Sequence, residues 1–157
     1  AKGNPKGIHA VQDLTRADLR VGLTDPQKSA LGALCARMLE GLGIRDAVNR
    51  NVKTFTATAD FLVTDMMAGA LDTVIVYRAN TSQVAGTLEV LPIDHPAAKA
   101  IQPYAIGKQS RHKQMASRLL SVITSAESRR QFESKGFRFL AGSADPAGTR
   151  PSSETRR

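Results

Sequence analysis

The chain has one cysteine, no tryptophan, two tyrosines and five phenylalanines among 157 residues. A single Cys35 excludes an internal disulfide and a cysteine-based metal site, and leaves the redox compartment unread. No apolar run approaches the ~18 residues that a membrane-spanning helix needs. The opening Ala1-Lys2-Gly3-Asn4-Pro5-Lys6-Gly7 has no apolar stretch of the signal-peptide kind, and the missing initial Met suggests processing or excision from something longer. The three histidines, His9, His95 and His112, lie far apart, none beside a nucleophile or ligand partner. Asp94-His95 precedes Pro96 and reads as a surface turn. A Gly-rich phosphate loop, a G-x-S-x-G elbow and paired helical histidines are all missing. Nothing assembles an acid, a base and a nucleophile, so an enzyme is not expected.

What is present is ordinary globular material, 41% hydrophobic and 23% charged, enough for the core of one domain. The formal charge of +8 is uneven. Residues 1–107 hold 11 Lys/Arg against 10 Asp/Glu, whereas residues 108–157 hold 11 against 4, a net of +7. A basic third invites a nucleic-acid or anionic-surface reading. With aromatics at 4% and no nucleic-acid motif, a solvated helix face is the expected meaning and nucleic acid is disfavoured.

Strand and helix patterns alternate. Arg20–Leu23 predicts a short strand, followed by the turn pair Asp25-Pro26. Leu31, Leu34, Met38, Leu39 and Leu42 recur at helical spacing, giving a helix over 30–42 with Ser29 as its cap and Gly43 as its stop. Cys35 lies near the apolar face of that helix and reads as a buried structural thiol. Residues 52–55 alternate as a strand, and 59–68 read as a helix with Thr58 as cap and Asp60 in the first turn. The β-branched run Thr73–Tyr77 predicts a strand buried on both faces. Shorter strands are expected at 87–91 and 104–106. Helices are expected at 111–124 and 127–135, broken near Ser125. Residues 143–157 are polar and rich in Pro, Gly and Ser, so a disordered tail is expected. The pattern is that of an α/β domain over 1–142, its sheet covered by helices on both faces.

One kind of site emerges. The first N–H groups of a helix have no internal partner and sit at the positive end of its dipole. Ser29-Ala30-Leu31-Gly32 opens a helix with small residues just after a strand, where ligands sit in open α/β sheets. Thr58-Ala59 opens another, and Tyr77 ends the strand at 73. Together they suggest a place where neutral donors hold a small oxyanion.

The chain from residue 2 to about 140 resembles the second half of a type II periplasmic solute-binding protein, nearest to the molybdate/tungstate-binding family of ABC importers. The resemblance rests on Lys2-Gly3-Asn4-Pro5-Lys6-Gly7-Ile8, Val11-Gln12-Asp13-Leu14, Arg20-Val21-Gly22-Leu23-Thr24-Asp25-Pro26, and Gly41-Leu42-Gly43-Ile44. It continues through Met66-Met67-Ala68-Gly69-Ala70-Leu71-Asp72-Thr73-Val74-Ile75-Val76-Tyr77 and Ser125–Phe137. It implies a mostly parallel sheet, a second lobe over about 5–105, C-terminal helices over about 108–140, and no first lobe. It also implies a bound oxyanion such as molybdate or tungstate, no other cofactor, an ABC permease as partner and an extracytoplasmic location. The matching ligand positions are Ala30, Leu31 and Gly32, Ala59, and Tyr77, the helix starts giving backbone N–H groups and Tyr77 its O–H. The chain departs from the family at Thr58-Ala59-Asp60, where an Asn or Asp followed by Val is usual, and at Arg78, where a small residue is usual. A lone second lobe exposes its cleft face, so a homo-oligomer through that face is expected. The alternatives are the same fold as a ligand-sensing regulatory domain, and a basic module for anionic surfaces or nucleic acid.

Overall fold

Val21-Gly22-Leu23-Thr24 is buried at all four positions, which only the central strand of a covered sheet allows. In the computed structural model, which describes residues 1–140, this strand is β1 (Val21–Thr24). It pairs in parallel with β2 (Val52–Thr56) on one side and β3 (Thr73–Val74) on the other, in the order β2-β1-β3. Parallel pairing demands a crossover between strands. The first crossover is α1 (Ala30–Gly41) with α2 (Arg45–Asn51), and the second is α3 (Ala59–Met67).

The two faces of β1 meet different helices, as side-chain alternation requires. Val21 and Leu23 join Leu31, Cys35, Met38, Leu39 of α1 and Val48 of α2 in the main core. On the other face, a Cβ at Gly22 would stand 2.5 Å from Leu71 and 2.9 Å from Leu62 of α3, so glycine there lets α3 approach. Cys35 is 1% exposed and burial pushes its thiol up to about 12, the inert thiol expected.

Two polar ties fix the edges. The Asn51 amide, 7% exposed, donates to the carbonyls of Leu14 and Arg16 at 2.9 and 2.8 Å, pinning the 3-10 turn Val11–Thr15 onto the end of α2. Arg20 grips Asp72 through two guanidinium contacts of 3.1 and 2.9 Å, and the Arg20 N–H adds a third at 2.8 Å. The Arg20 guanidinium thereby holds the Asp72 carboxyl at about 2, below its ordinary 3.8. A lowered carboxyl stabilises the fold above its unfolded value, and that stability is lost as pH falls from 3.8 through 2. The contribution is about 1–2 kcal/mol, reduced because Arg20 is half exposed. Asp72→Asn should therefore flatten acid unfolding in that interval, read as a urea midpoint against pH. An unchanged profile would show that other carboxyls govern it.

Several sequence expectations need correction. The strand expected over 73–77 is paired only at Thr73–Val74. Ile75 alone of that run is buried, so the run is not covered on both faces. No strand forms at 87–91 or 104–106, because the sheet of the described residues ends at β3; the first segment meets only the N-terminus, where Lys2 N–H donates to the Thr87 carbonyl at 3.1 Å, one bond and no ladder. Thr58 stands at the cap position of α3 without a side-chain cap bond. Helix α2 was not expected; Val48 and Asn51 are its buried positions. The C-terminal helices α4 (Lys113–Ile123) and α5 (Ala126–Ser134) bury no residue completely, and Ser125 caps α5 by accepting from Ser128 N–H. Phe132 packs edge-on against Phe137 and Phe139 at 5.6 Å each. The tail expected at 143–157 lies outside the described residues.

Candidate functional site

Because all three strands run parallel, their carboxyl ends share one edge, and the segments leaving it build the site. After β1, Asp25 organises the loop. Its N–H donates to the Thr56 carbonyl at 2.8 Å, and its own carbonyl accepts from Lys28 and Ser29 N–H at 3.2 and 2.9 Å. Ser29 then caps α1, its Oγ accepting from Gly32 N–H at 3.4 Å. The amides of Ala30 and Leu31 are left without a hydrogen-bond partner among the described residues.

Gly32 has a second duty. A Cβ there would stand 2.5 Å from the Thr24 carbonyl oxygen and closer still to the Asp25 carbonyl. Its smallness is thus demanded by the seating of α1 on the end of β1, and its N–H is already given to Ser29.

After β2, Thr58 takes an extended conformation at φ −133° and α3 begins at Ala59. Without a side-chain cap the first-turn amides of α3 keep their donors. Asp60, exposed in that turn, accepts from the Asn80 side-chain amide at 3.1 Å. This contact ties α3 to the 3-10 turn Arg78–Thr81 that follows β3.

Tyr77 stands at the head of that turn, its carbonyl accepting from Asn80 N–H at 2.9 Å. Its ring packs partly buried against the main core, and burial pushes the phenol above its ordinary value. The hydroxyl therefore stays protonated at neutral pH and is available as a donor. Leu31 and Tyr77 line one groove of about 790 Å³ that follows the free edge of β3. Ala30, Gly32 and Ala59 do not line it. The Asp60–Asn80 bond links the Ala59 helix start to the turn that Tyr77 begins.

Two buried polar atoms on this edge have no hydrogen-bond partner among the described residues: Thr24 Oγ1 and Asn80 Oδ1. Neither was singled out from the sequence. No spacing rule points to them, since an unpaired hydroxyl becomes visible only once the chain is folded. His95 is used locally, its Nδ1 accepting from Ala97 N–H at 3.1 Å, which is the surface turn expected there. Among the described residues no group of His, Cys, Asp or Glu is placed to hold a metal ion, and no helix is long and apolar enough to cross a membrane.

The chain is 27% identical over 139 residues to the molybdate-binding protein ModA of Mycobacterium bovis and to that of Mycobacterium tuberculosis. The match covers 87% of this chain and 51% of each relative, so the chain spans about half the length of the curated relatives it matches. The crystal structure of L-phospholactate-bound PEB3 superposes with a TM-score of 0.65 at 14% identity, covering 88% of this chain and 62% of that one; this shows a shared fold. A profile of the bacterial extracellular solute-binding protein family matches residues 1–138. The chain belongs to the bacterial extracellular solute-binding protein family.

Proposed function

We propose that this chain is the oxyanion-holding half of the solute-binding component of an ABC importer, working outside the cytoplasm. The observation behind the reading is the set of unspent donors at one sheet edge: the amides opening α1 and α3, and the Tyr77 hydroxyl. Such donors stabilise a desolvated anion without burying a counter-charge, whose own desolvation would offset the gain. Among the described residues nothing at this edge pairs a base with a nucleophile, which suits capture and release better than catalysis. The relatives' name makes molybdate the first anion to titrate.

The test is calorimetric titration of the chain with molybdate, sulfate and phosphate. Saturation near one equivalent by any of them supports the reading, and no heat from all three removes it. Tyr77→Phe should cost roughly tenfold to a hundredfold in affinity, the worth of one hydrogen bond to a charged group, with the melting temperature nearly unchanged. Wild-type affinity in that variant would take Tyr77 out of the site.

A further inference from the structure

Between His95 and Ala126 the chain carries five basic residues, Lys99, Lys108, Arg111, Lys113 and Arg118, and no Asp or Glu. Among the described residues none of the five takes part in an ion pair. Helix α4 lies in this stretch. At helical spacing its apolar side chains gather on one side, with Ser117 and Ser121 on the other. Ala116, Leu120 and Ile123 are half-buried, and α5 packs beside the helix. Met115, Leu119 and Val122, spaced four and three apart, form a second stripe that is 70%, 60% and 62% exposed. Arg118, three residues from Met115 and four from Val122, borders that stripe. A helix face meant only for water is polar; this one is aliphatic with a cationic margin.

What covers such a face must answer both its features. A second copy would bury the stripe but set Lys113 and Arg118 against their own kind, on a chain of net charge +8. A nucleic acid would match the charge and leave three aliphatic side chains in water. Protein contacts are usually anchored by Trp, Tyr or Arg packed at their centre. This chain has no tryptophan, and its tyrosines, Tyr77 and Tyr104, lie outside α4. The surface of an anionic bilayer supplies both halves of the match. Its apolar layer takes up Met115, Leu119 and Val122, and its headgroup phosphates meet cationic groups that reach outward on long apolar stems.

We propose that α4 is an interfacial anchor, which lays its Met115–Leu119–Val122 stripe on membranes rich in anionic lipid. No residue of α4 lines the groove of Leu31 and Tyr77, so this surface is separate from the oxyanion site and independent of that reading.

The test is co-sedimentation of the chain with vesicles of phosphatidylcholine alone and of equal parts phosphatidylcholine and phosphatidylglycerol, at low and at high salt. The mixed vesicles should bind at least tenfold more tightly, and the difference should shrink as salt rises. Leu119→Gln keeps a good helix former at an exposed position; it should cost about tenfold in binding with the melting temperature unchanged. Arg118→Gln should cost about fivefold, and Ser117→Gln, on the opposite face, nothing. If the mixed vesicles carry down no chain, the inference is overturned. If Leu119→Gln binds them as the wild type does, charge alone holds the chain and the inference fails as well. If light scattering finds the wild type dimeric and Leu119→Gln monomeric, a second copy covers the stripe and the inference falls. None of these results bears on the anion titrations, which are made without lipid.

Discussion

Gly32→Val is expected to lose about 3 kcal/mol or more of stability, enough to leave much of the protein unfolded at ordinary temperature. The first atom of any side chain at this position falls on main-chain atoms of Thr24 and Asp25, not on the end of a side chain that can swing away. Relief requires α1 to lift from β1, which opens the contacts of Leu31, Cys35 and Met38 with the core. Gly32→Ala should be nearly as damaging. Gly41→Ala, in the same helix but with open space around it, should be neutral or stabilise by about 0.5–1 kcal/mol through helix propensity. Urea unfolding of the three variants checks this, and a wild-type midpoint for Gly32→Val would refute it. Because the damage is structural, lost anion binding in Gly32→Val cannot locate the site; Tyr77→Phe can.

Replacing Asn51 should produce the second large effect. Its amide is buried and, among the described residues, is the one side-chain donor to the Leu14 and Arg16 carbonyls. Asn51→Leu deletes both bonds, strands the Leu14 carbonyl against an apolar group and leaves the Arg16 carbonyl only its 3.2 Å bond from Leu19 N–H, at a cost of about 2–4 kcal/mol. For a domain of this size that is a fall of about 6–15 °C in melting temperature. Asn51→Asp should be no better, because a carboxylate repels both oxygens. A melting temperature within a degree of wild type would mean that the turn Val11–Thr15 is held by Leu14 packing alone.

The elements nearest the site were legible because local chemistry marks them. Ser29 caps α1, leucines at helical spacing follow, and Gly43 takes up a left-handed conformation at φ 69° to end the segment. The run Thr73–Tyr77 misled for a physical reason: β-branched residues signal an extended chain, but a strand also needs a neighbour, and β3 has one on one side only. The strands expected at 87–91 and 104–106 fail because neither joins the sheet. Helix α2 went unseen because a short helix with one buried hydrophobic, Val48, leaves no period to read. Of the candidate site, the helix starts and Tyr77 follow from pattern and resemblance. The Asp60–Asn80 contact, twenty residues apart in sequence, and the unpaired Thr24 hydroxyl do not, because both depend on which loops the sheet edge gathers.

The strand order has a consequence for how the chain reaches this state. β1 is synthesised first yet lies between two strands made later, and both its pairings are parallel, so no hairpin can form early to shield it. Val21, wholly covered in the finished fold, waits for Val52–Thr56 and then for Thr73–Val74 to leave the ribosome. Each step closes a long loop before any contact rewards it, which makes the assembly slow by comparison with a helical bundle. During that wait the most apolar strand of the fold is its most adhesive segment, so the interval of greatest risk of aggregation is set by the interior of the protein and not by its surface.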